Sequence, residues 1–323
     1  MKYVFVINPI AGKRKVQKEF SRAVNKYFSN SNLSYQIYYT KSRGDAQRFV
    51  HDLALTGEEL RIYACGGEGT TFEVLNGSVG FDNISIGVVP CGSANDFVTY
   101  FSEKELFLDV ASQVAGEEIT IDLIKVGKYY AMNSCSVGMD AMVASNMAKF
   151  KQWPFVSGSM AYLLSLIFTM FGKLGVDLTV SVNSAKTVIK RKALFAVIAN
   201  APYYGGGFYP APSAVPFDGK LDYSVISAVS RFKILSLLKT YRAGTHIGRD
   251  FCAYGSCVDM EVISDRRIPL NMDGEIIFTD HAKFEIAKKA CRLILPKTIS
   301  NVWKKKYEML EKSKAPQKEF AKA

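Results

Sequence analysis

Through about residue 118 the chain alternates short apolar runs with longer stretches of helical period, and that alternation leaves few topologies open. KYVFVIN reads as a buried strand. The stretch from Lys13 to Phe28 is predicted to be helical, with Val16, Phe20, Val24 and Phe28 four residues apart. YQIYYT, LRIYAC and ISIGVV read as further strands, and helices are predicted over Asp45 to Leu55, Thr70 to Val79 and Ser93 to Phe101. Strands separated by helical stretches of roughly 10–20 residues return through right-handed crossovers, so the sheet is expected to be parallel. Ligands on such sheets bind beyond the carboxyl ends of the strands.

After that point the texture changes. EEITIDLIKVGKYYAMNSCSVGMDA reads as strands joined by a tight turn at Gly127. VDLTVSVNSAKTVIKRKALFAVIANAPYY reads as three strand-like runs. LDYSVISAV, SCVDMEVI, RIPLNMDGEIIFTD and KFEIAK follow at hairpin spacing, interrupted by a helix over Ser230 to Gly248. The fold class expected is α/β: an N-terminal three-layer α/β domain with a mainly parallel sheet, then an antiparallel β-sandwich. The α/β domain is expected over residues 1–124 plus 291–323, because CRLILP and the tail can pack back on it. The β-rich domain with inserted helices is expected over 125–290.

Forty-one Lys and Arg face thirty Asp and Glu, a net charge of +11 that favours an anionic partner. No RNA- or DNA-binding signature accompanies the basic residues, so an anionic membrane surface is expected rather than nucleic acid. FVSGSMAYLLSLIFTMFG (Phe155 to Gly172) carries no charge over 18 residues, the lower edge of a spanning helix. Its serines and glycines, and Pro154 before it, point to a buried or membrane-apposed helix. No signal peptide is read at the start, so the expected location is cytoplasmic, peripheral to the inner face of a membrane and reversibly bound. The six cysteines form no Cys-x-x-Cys pair and are expected to be packed, reduced thiols. Oligomeric state is not legible, and a homodimer stays open. The first half of the tail NVWKKKYEMLEKSKAPQKEFAKA could form an amphipathic helix with Val302, Tyr307 and Leu310 on one side, or a solvated helix with a frayed end.

Four βα loops carry turn or cap signals. NPIAGK runs from Asn8 to Lys13. Ser42 and Asp45 in TKSRGDA, Thr70 and Glu73 in CGGEGTTFEVLNG, and Ser93 and Asp96 in PCGSAND all have capping-box spacing. Helix N-termini gathered at one sheet edge offer free N–H groups and positive dipole ends, the physics of a polyphosphate site. Gly66, Gly67 and Gly69 let the backbone approach an anion with no Cβ in the way. Ordinary capped turns would explain each loop equally well.

Taken together these segments resemble the diacylglycerol and related lipid kinases. CGGEGTTFEVLNG is similar to that family's GGDGT-x-N-E-V-x-N-G, and VVPCGSANDF to its P-x-G-T-x-N-D-F. NSCSVGMDA, NAPYYGGGFYPAPSA, PFDGKLD and NMDGEI resemble its later blocks in the same order, over roughly residues 4–290. NAD kinases and phosphofructokinases share only the glycine-rich block, so the likeness lies in the lipid-kinase branch.

The resemblance implies a nucleotide-binding first domain, a lipid-substrate second domain, and an ATP- and Mg²⁺-dependent kinase acting on a hydroxyl of diacylglycerol or a related lipid. Asn8, Gly12 and Lys13 match its first nucleotide loop and Thr40 its adenosine-side threonine. Gly66, Gly67, Glu68, Gly69, Thr70, Thr71 and Phe72 match the phosphate loop, with Glu73 after it. Ser93 stands where Thr is usual, and Asp96 matches an acid of the active cleft. Asp218 with the carbonyls of Val215 and Lys220 matches a structural Mg²⁺ site. Glu275, beside Asp273 in the DGE block, matches the general base. Each acid also has a plainer reading: Asp273-Gly274 and Asp218-Gly219 are turn dipeptides, and Asp96 could end a capping box. Glu68 departs from the usual Asp, which leaves open a nucleotide- or lipid-binding regulator with weakened catalysis. A soluble-substrate kinase of the NAD-kinase type is a further alternative.

Overall fold

The computed structural model describes residues 1–303 apart from 13, 93, 94, 151, 152, 154, 155, 157 and 173. The N-terminal part runs β1 (Lys2–Ile7), α1 (Arg14–Ser29), β2 (Tyr35–Tyr39), α2 (Asp45–Ala54), β3 (Leu60–Gly66), α3 (Glu68–Ser78), β4 (Ile84–Pro90), α4 (Asp96–Thr99) and α5 (Val110–Val114). Its strands lie parallel in the order β2-β1-β3-β4. Alternate β1 residues serve the two faces. Tyr3, Phe5 and Ile7 pack on Phe20, Val24 and Phe28 of α1. Val4 and Val6 pack on Ala46, Val50 and Ala54 of α2 and on Val74 and Leu75 of α3. The sequence-derived three-layer arrangement is therefore present, and the strand order reverses between β1 and β3.

The remainder runs β5 (Glu117–Val126), β6 (Tyr129–Ala131), β7 (Ser134–Gly138), α6 (Met139–Phe150), α7 (Gly158–Phe171), β8 (Val176–Val182), β9 (Thr187–Ala199), β10 (Leu221–Ser227), α8 (Arg231–Arg242), β11 (Cys252–Cys257), β12 (Asp259–Met272) and β13 (Glu275–Leu295). It is an antiparallel sandwich in which long strands serve both sheets. β12 pairs with β8 through Met260–Ser264 and with β7 through Leu270–Met272, with a register shift between them. Val180, Ile198, Val225, Leu270 and Phe284 meet in its interior.

Several local expectations are corrected. The stretch from Val176 to Tyr204 holds two strands rather than three, because TVIKRKALFAVIA is one continuous strand, β9. SCVDMEVI divides at Val258 between β11 and β12. EIIFTD, KFEIAK and CRLILP are one strand, β13, bent by a register shift between Ala287 and Cys291. Beyond that shift Leu293 and Ile294 pair in parallel with β4, so one strand begins in the sandwich and ends in the α/β sheet. The helix predicted over Ser93 to Phe101 is the four-residue α4. Among the described residues no helix is long and apolar enough to cross a membrane. The cysteines are free, and all but Cys252 are buried.

Candidate functional site

Where strand order reverses, the loops after β1 and β3 part company and leave a crevice beyond the strand ends. Here it is a cleft of about 540 Å³ lined by Asn8, Gly12, Thr40, Gly67, Glu68, Gly69, Thr70, Glu73 and Glu275, among others. Three loops are fastened to one another by backbone. Asn8 N–H donates to the Cys65 carbonyl, and the Gly66 carbonyl accepts from Cys91 N–H, Gly92 N–H and Asn95 Nδ2. The packing is so close that a Cβ on Gly12, at φ +54°, would lie 2.0 Å from the Cys91 carbonyl oxygen. A Cβ on Gly92 would lie 2.6 Å from Gly67 Cα. Here glycine is a condition of the loops meeting.

The capping boxes expected at α2 and α3 do not form. The N-cap of α3 is Gly67, so Thr70 lies inside the helix, where its Oγ1 accepts from Asn8 Nδ2 at 3.2 Å. Glu73 grips another helix: its carboxylate accepts from Gly44 N–H at 2.6 Å and Ala46 N–H at 3.1 Å, satisfying the start of α2. Gly44, at φ +77°, is the N-cap of α2, and Asp45 accepts from Lys41 N–H and Tyr38 O–H. Those bonds hold its carboxyl below the usual range, the Lys41 N–H contributing most. The helix α4 starts at Asp96 after a left-handed Asn95. The buried Asp96 carboxylate instead accepts from Gly206 N–H at 2.6 Å and lies 3.7 Å from Lys104 Nζ.

The sandwich closes the cleft with the β12–β13 hairpin. Asp273 and Gly274, at φ +46° and +92°, form its two-residue turn, with Met272 opposite Glu275. The Asp273 carboxylate accepts from the N–H groups of Met132, Asn133 and Ser134. Burial pushes its carboxyl up to about 6 against the pull of those three donors. Asp273 therefore anchors the turn, and Glu275 is the acid the turn presents. A Cβ on Gly69 would stand 3.4 Å from Glu275 Oε1, and one on Gly274 3.7 Å from Glu68 Oε2. The two glutamates thus come together from different halves of the chain. Glu275 also pairs with Arg43.

Other expected site residues lie elsewhere. Gly66 is the backbone node behind the cleft. Thr71, with Glu68 and Asp273, lines a small neighbouring cavity. Phe72 is buried in the sandwich core beside Tyr129. Asp218 closes a turn on Lys220 N–H, and the Val215 carbonyl accepts from Phe217 and Asp218 N–H. That loop is tied to Asp122 through Gly219 N–H, away from the cleft. Among the described residues no group of three or more His, Cys, Asp or Glu gathers as a cation site. Lys13, Ser93 and Tyr307 to Leu310 of the tail lie outside the described residues.

Two features were not singled out from sequence. Arg43 sits in TKSRGDA, where the cap signal hid a cation at the loop tip. Asp140, in NSCSVGMDA, borders a cavity of about 50 Å³ lined by Met139, Leu194, Phe208, Leu237 and Tyr241, among others. Its Oδ1 accepts from Tyr204 O–H at 2.7 Å, its Oδ2 is buried with no partner, and burial raises its carboxyl above the usual range. Outside this cavity Ile167, Phe168 and Phe171 of α7 are exposed, as is Phe232 of α8. Arg231 joins them by donating to the Met170 and Gly172 carbonyls.

Residues 2–126 match the family described as the diacylglycerol kinase catalytic domain. Residues 133–295 match the YegS C-terminal NAD kinase beta sandwich-like domain. The chain is 26% identical to a provisionally named lipid kinase of Bacillus subtilis (strain 168), YtlR, over 86% of this chain and 94% of that protein. It is 28% identical to a provisionally named YegS-like lipid kinase of Shewanella frigidimarina, over 78% and 81% of the two chains. A solved structure of a provisionally named diacylglycerol kinase from Bacillus anthracis superposes with a TM-score of 0.71 at 18% identity, covering 92% and 98%; at that identity the likeness speaks for the fold alone.

Proposed function

The chain belongs to the lipid-kinase family that joins a diacylglycerol kinase catalytic domain to a YegS-type sandwich domain, and from that premise we propose that it transfers the terminal phosphoryl group of ATP, with Mg²⁺, to a hydroxyl of diacylglycerol or a related membrane lipid. One observation carries the reading: the glycine-lined N-terminus of α3 and the Glu275 hairpin meet in one cleft.

Phosphoryl transfer needs in-line placement and charge neutralisation more than covalent help. The N–H groups in the first turn of α3 supply fixed positive ends for phosphate oxygens. Asn8 braces that helix through Thr70, and Glu73 sets the neighbouring loop. Glu275, half-buried at the cleft wall, accepts the proton of the acceptor hydroxyl. Glu68 offers a hard oxygen donor next to the phosphate loop and fits Mg²⁺, which takes one or two carboxylates together with phosphates and waters. When bound, Mg²⁺ would supply charge that neutralises phosphate oxygens, with Glu68 as a residue that would hold it. Asp218, Val215 and Lys220 would brace their own loop and take no step.

The exposed apolar face of α7 and Phe232, next to Arg231 and Lys233, support docking on an anionic membrane surface: the aromatic side chains enter the interface and the cations meet lipid headgroups.

The test is transfer of label from ATP to a panel of lipids in anionic vesicles. Labelled lipid is expected; folded protein that labels no lipid would overturn the proposal. Transfer to NAD without vesicles would favour a soluble-substrate kinase instead. Glu275→Gln is expected to reduce turnover about 10²- to 10⁴-fold with nucleotide binding retained. Restoration of transfer by Glu68→Asp in an otherwise inactive protein would favour a regulator.

A further inference from the structure

We infer that Arg43 is a phosphate-contacting residue that also positions Glu275, so that one guanidinium bridges the transferring phosphoryl group and the base. The inference rests on the kinase reading above and adds a residue to it. Arg43 sits at the tip of the loop between β2 and α2, and its Nη2 pairs with Glu275 Oε2 across the cleft, from a position 232 residues away in sequence.

The loop is built to hold that tip. On one side Asp45 accepts Lys41 N–H at 2.8 Å; on the other Glu73 accepts Gly44 N–H and Ala46 N–H. Two carboxylates therefore fix the backbone on both flanks of Arg43. One of them comes from α3, the helix whose first turn forms the phosphate loop. The side chain between these fixed points is 76% exposed, an arrangement that stability does not explain. A pair so open to water contributes little to folding.

Guanidinium geometry accounts for it better. Arg carries five N–H donors in a planar fork, matched to carboxylate and phosphate oxygens alike. Glu275 engages Nη2, and no protein acceptor is found for Nε or Nη1 among the described residues. Those donors remain for oxygens of a ligand in the same cleft, whose lining includes Arg43 and Lys41 as its cations among the described residues. A lysine in that position would keep the charge and lose the fork, so it could neutralise phosphate without also fixing Glu275.

The experiment compares wild type, Arg43→Ala and Arg43→Lys in calorimetric titration with a non-hydrolysable ATP analogue and Mg²⁺, and in steady-state lipid phosphorylation. Arg43→Ala is expected to lower kcat/KM about 10- to 100-fold while the melting temperature moves by less than about 3 °C. Arg43→Lys is expected to recover nucleotide affinity and KM but not kcat. In the Glu275→Gln background Arg43→Ala should then lower kcat little further, because the base it positions is gone. Wild-type affinity and turnover in Arg43→Ala would overturn the inference and leave the kinase reading intact. Full recovery of kcat in Arg43→Lys would reduce Arg43 to a simple charge and overturn the bridging role. Failure of wild type to bind the analogue would overturn the kinase reading and this inference with it.

Discussion

The cleft between the halves and the cavity under α6, α7 and α8 are made of different material. The cleft, about 540 Å³, is walled by loop backbone and a few charged side chains. The cavity, about 50 Å³, is walled by apolar side chains around one acid. Backbone walls tolerate almost no substitution where loops touch, as at Gly12, where a Cβ would lie 2.0 Å from a carbonyl oxygen. Side-chain walls tolerate many, because Leu, Phe and Met of similar volume fill the same space. Motifs therefore mark the first kind of site and leave the second nearly silent.

The sharpest way to break that contrast is Gly12→Ala. A methyl group facing the Cys91 carbonyl, on a left-handed backbone, forces the first and fourth loops apart. Nucleotide affinity, measured by calorimetry, is expected to fall by about 100-fold or more, consistent with 1–3 kcal/mol for overpacking plus backbone strain. Wild-type affinity would show that the loops have room, and the backbone account of the cleft would fail. A middle-sized effect is expected on the apolar side. Phe171→Ser with Phe232→Ser should weaken sedimentation with anionic vesicles about 10-fold or more, and wild-type binding should itself weaken with salt. Unchanged binding in the double variant would detach this face from the membrane.

The smallest effect is expected at Asp140. Burial raises its carboxyl above the usual range, so the folded protein binds that proton more tightly than the unfolded chain. Wild-type stability from this group is full at low pH and is lost as pH rises through the folded value. Asp140→Asn does not titrate there. Its melting temperature should gain on wild type with rising pH, by about 3 °C or less, and the gap should close toward about pH 4. A gap that does not change with pH would mean that Asp140 is not a strained acid.

The legible part of the site follows the same division. The loops at Asn8, Gly67 and Thr40 came from turn chemistry and order along the chain, and they line one cleft. Thr70 and Glu73 have the spacing of a capping box, yet Glu73 caps α2 instead. Spacing records which groups can meet within a helix; it cannot record a second helix that offers unsatisfied N–H groups nearer by. Asp96 is similar: its partner is Gly206, 110 residues away.

The sequence alone determined that β-α alternation gives way to antiparallel strands, that glycines cluster where strands end, and that Asp273-Gly274 makes a tight turn. These are local consequences of side-chain period and φ preference. Only the tertiary structure decided that β13 runs from the sandwich into the α/β sheet, that Glu68 and Glu275 share a cleft, and that Arg43 reaches Glu275. Those pairings join residues far apart in the chain, and they exist only once both cores have packed and fixed where each loop ends.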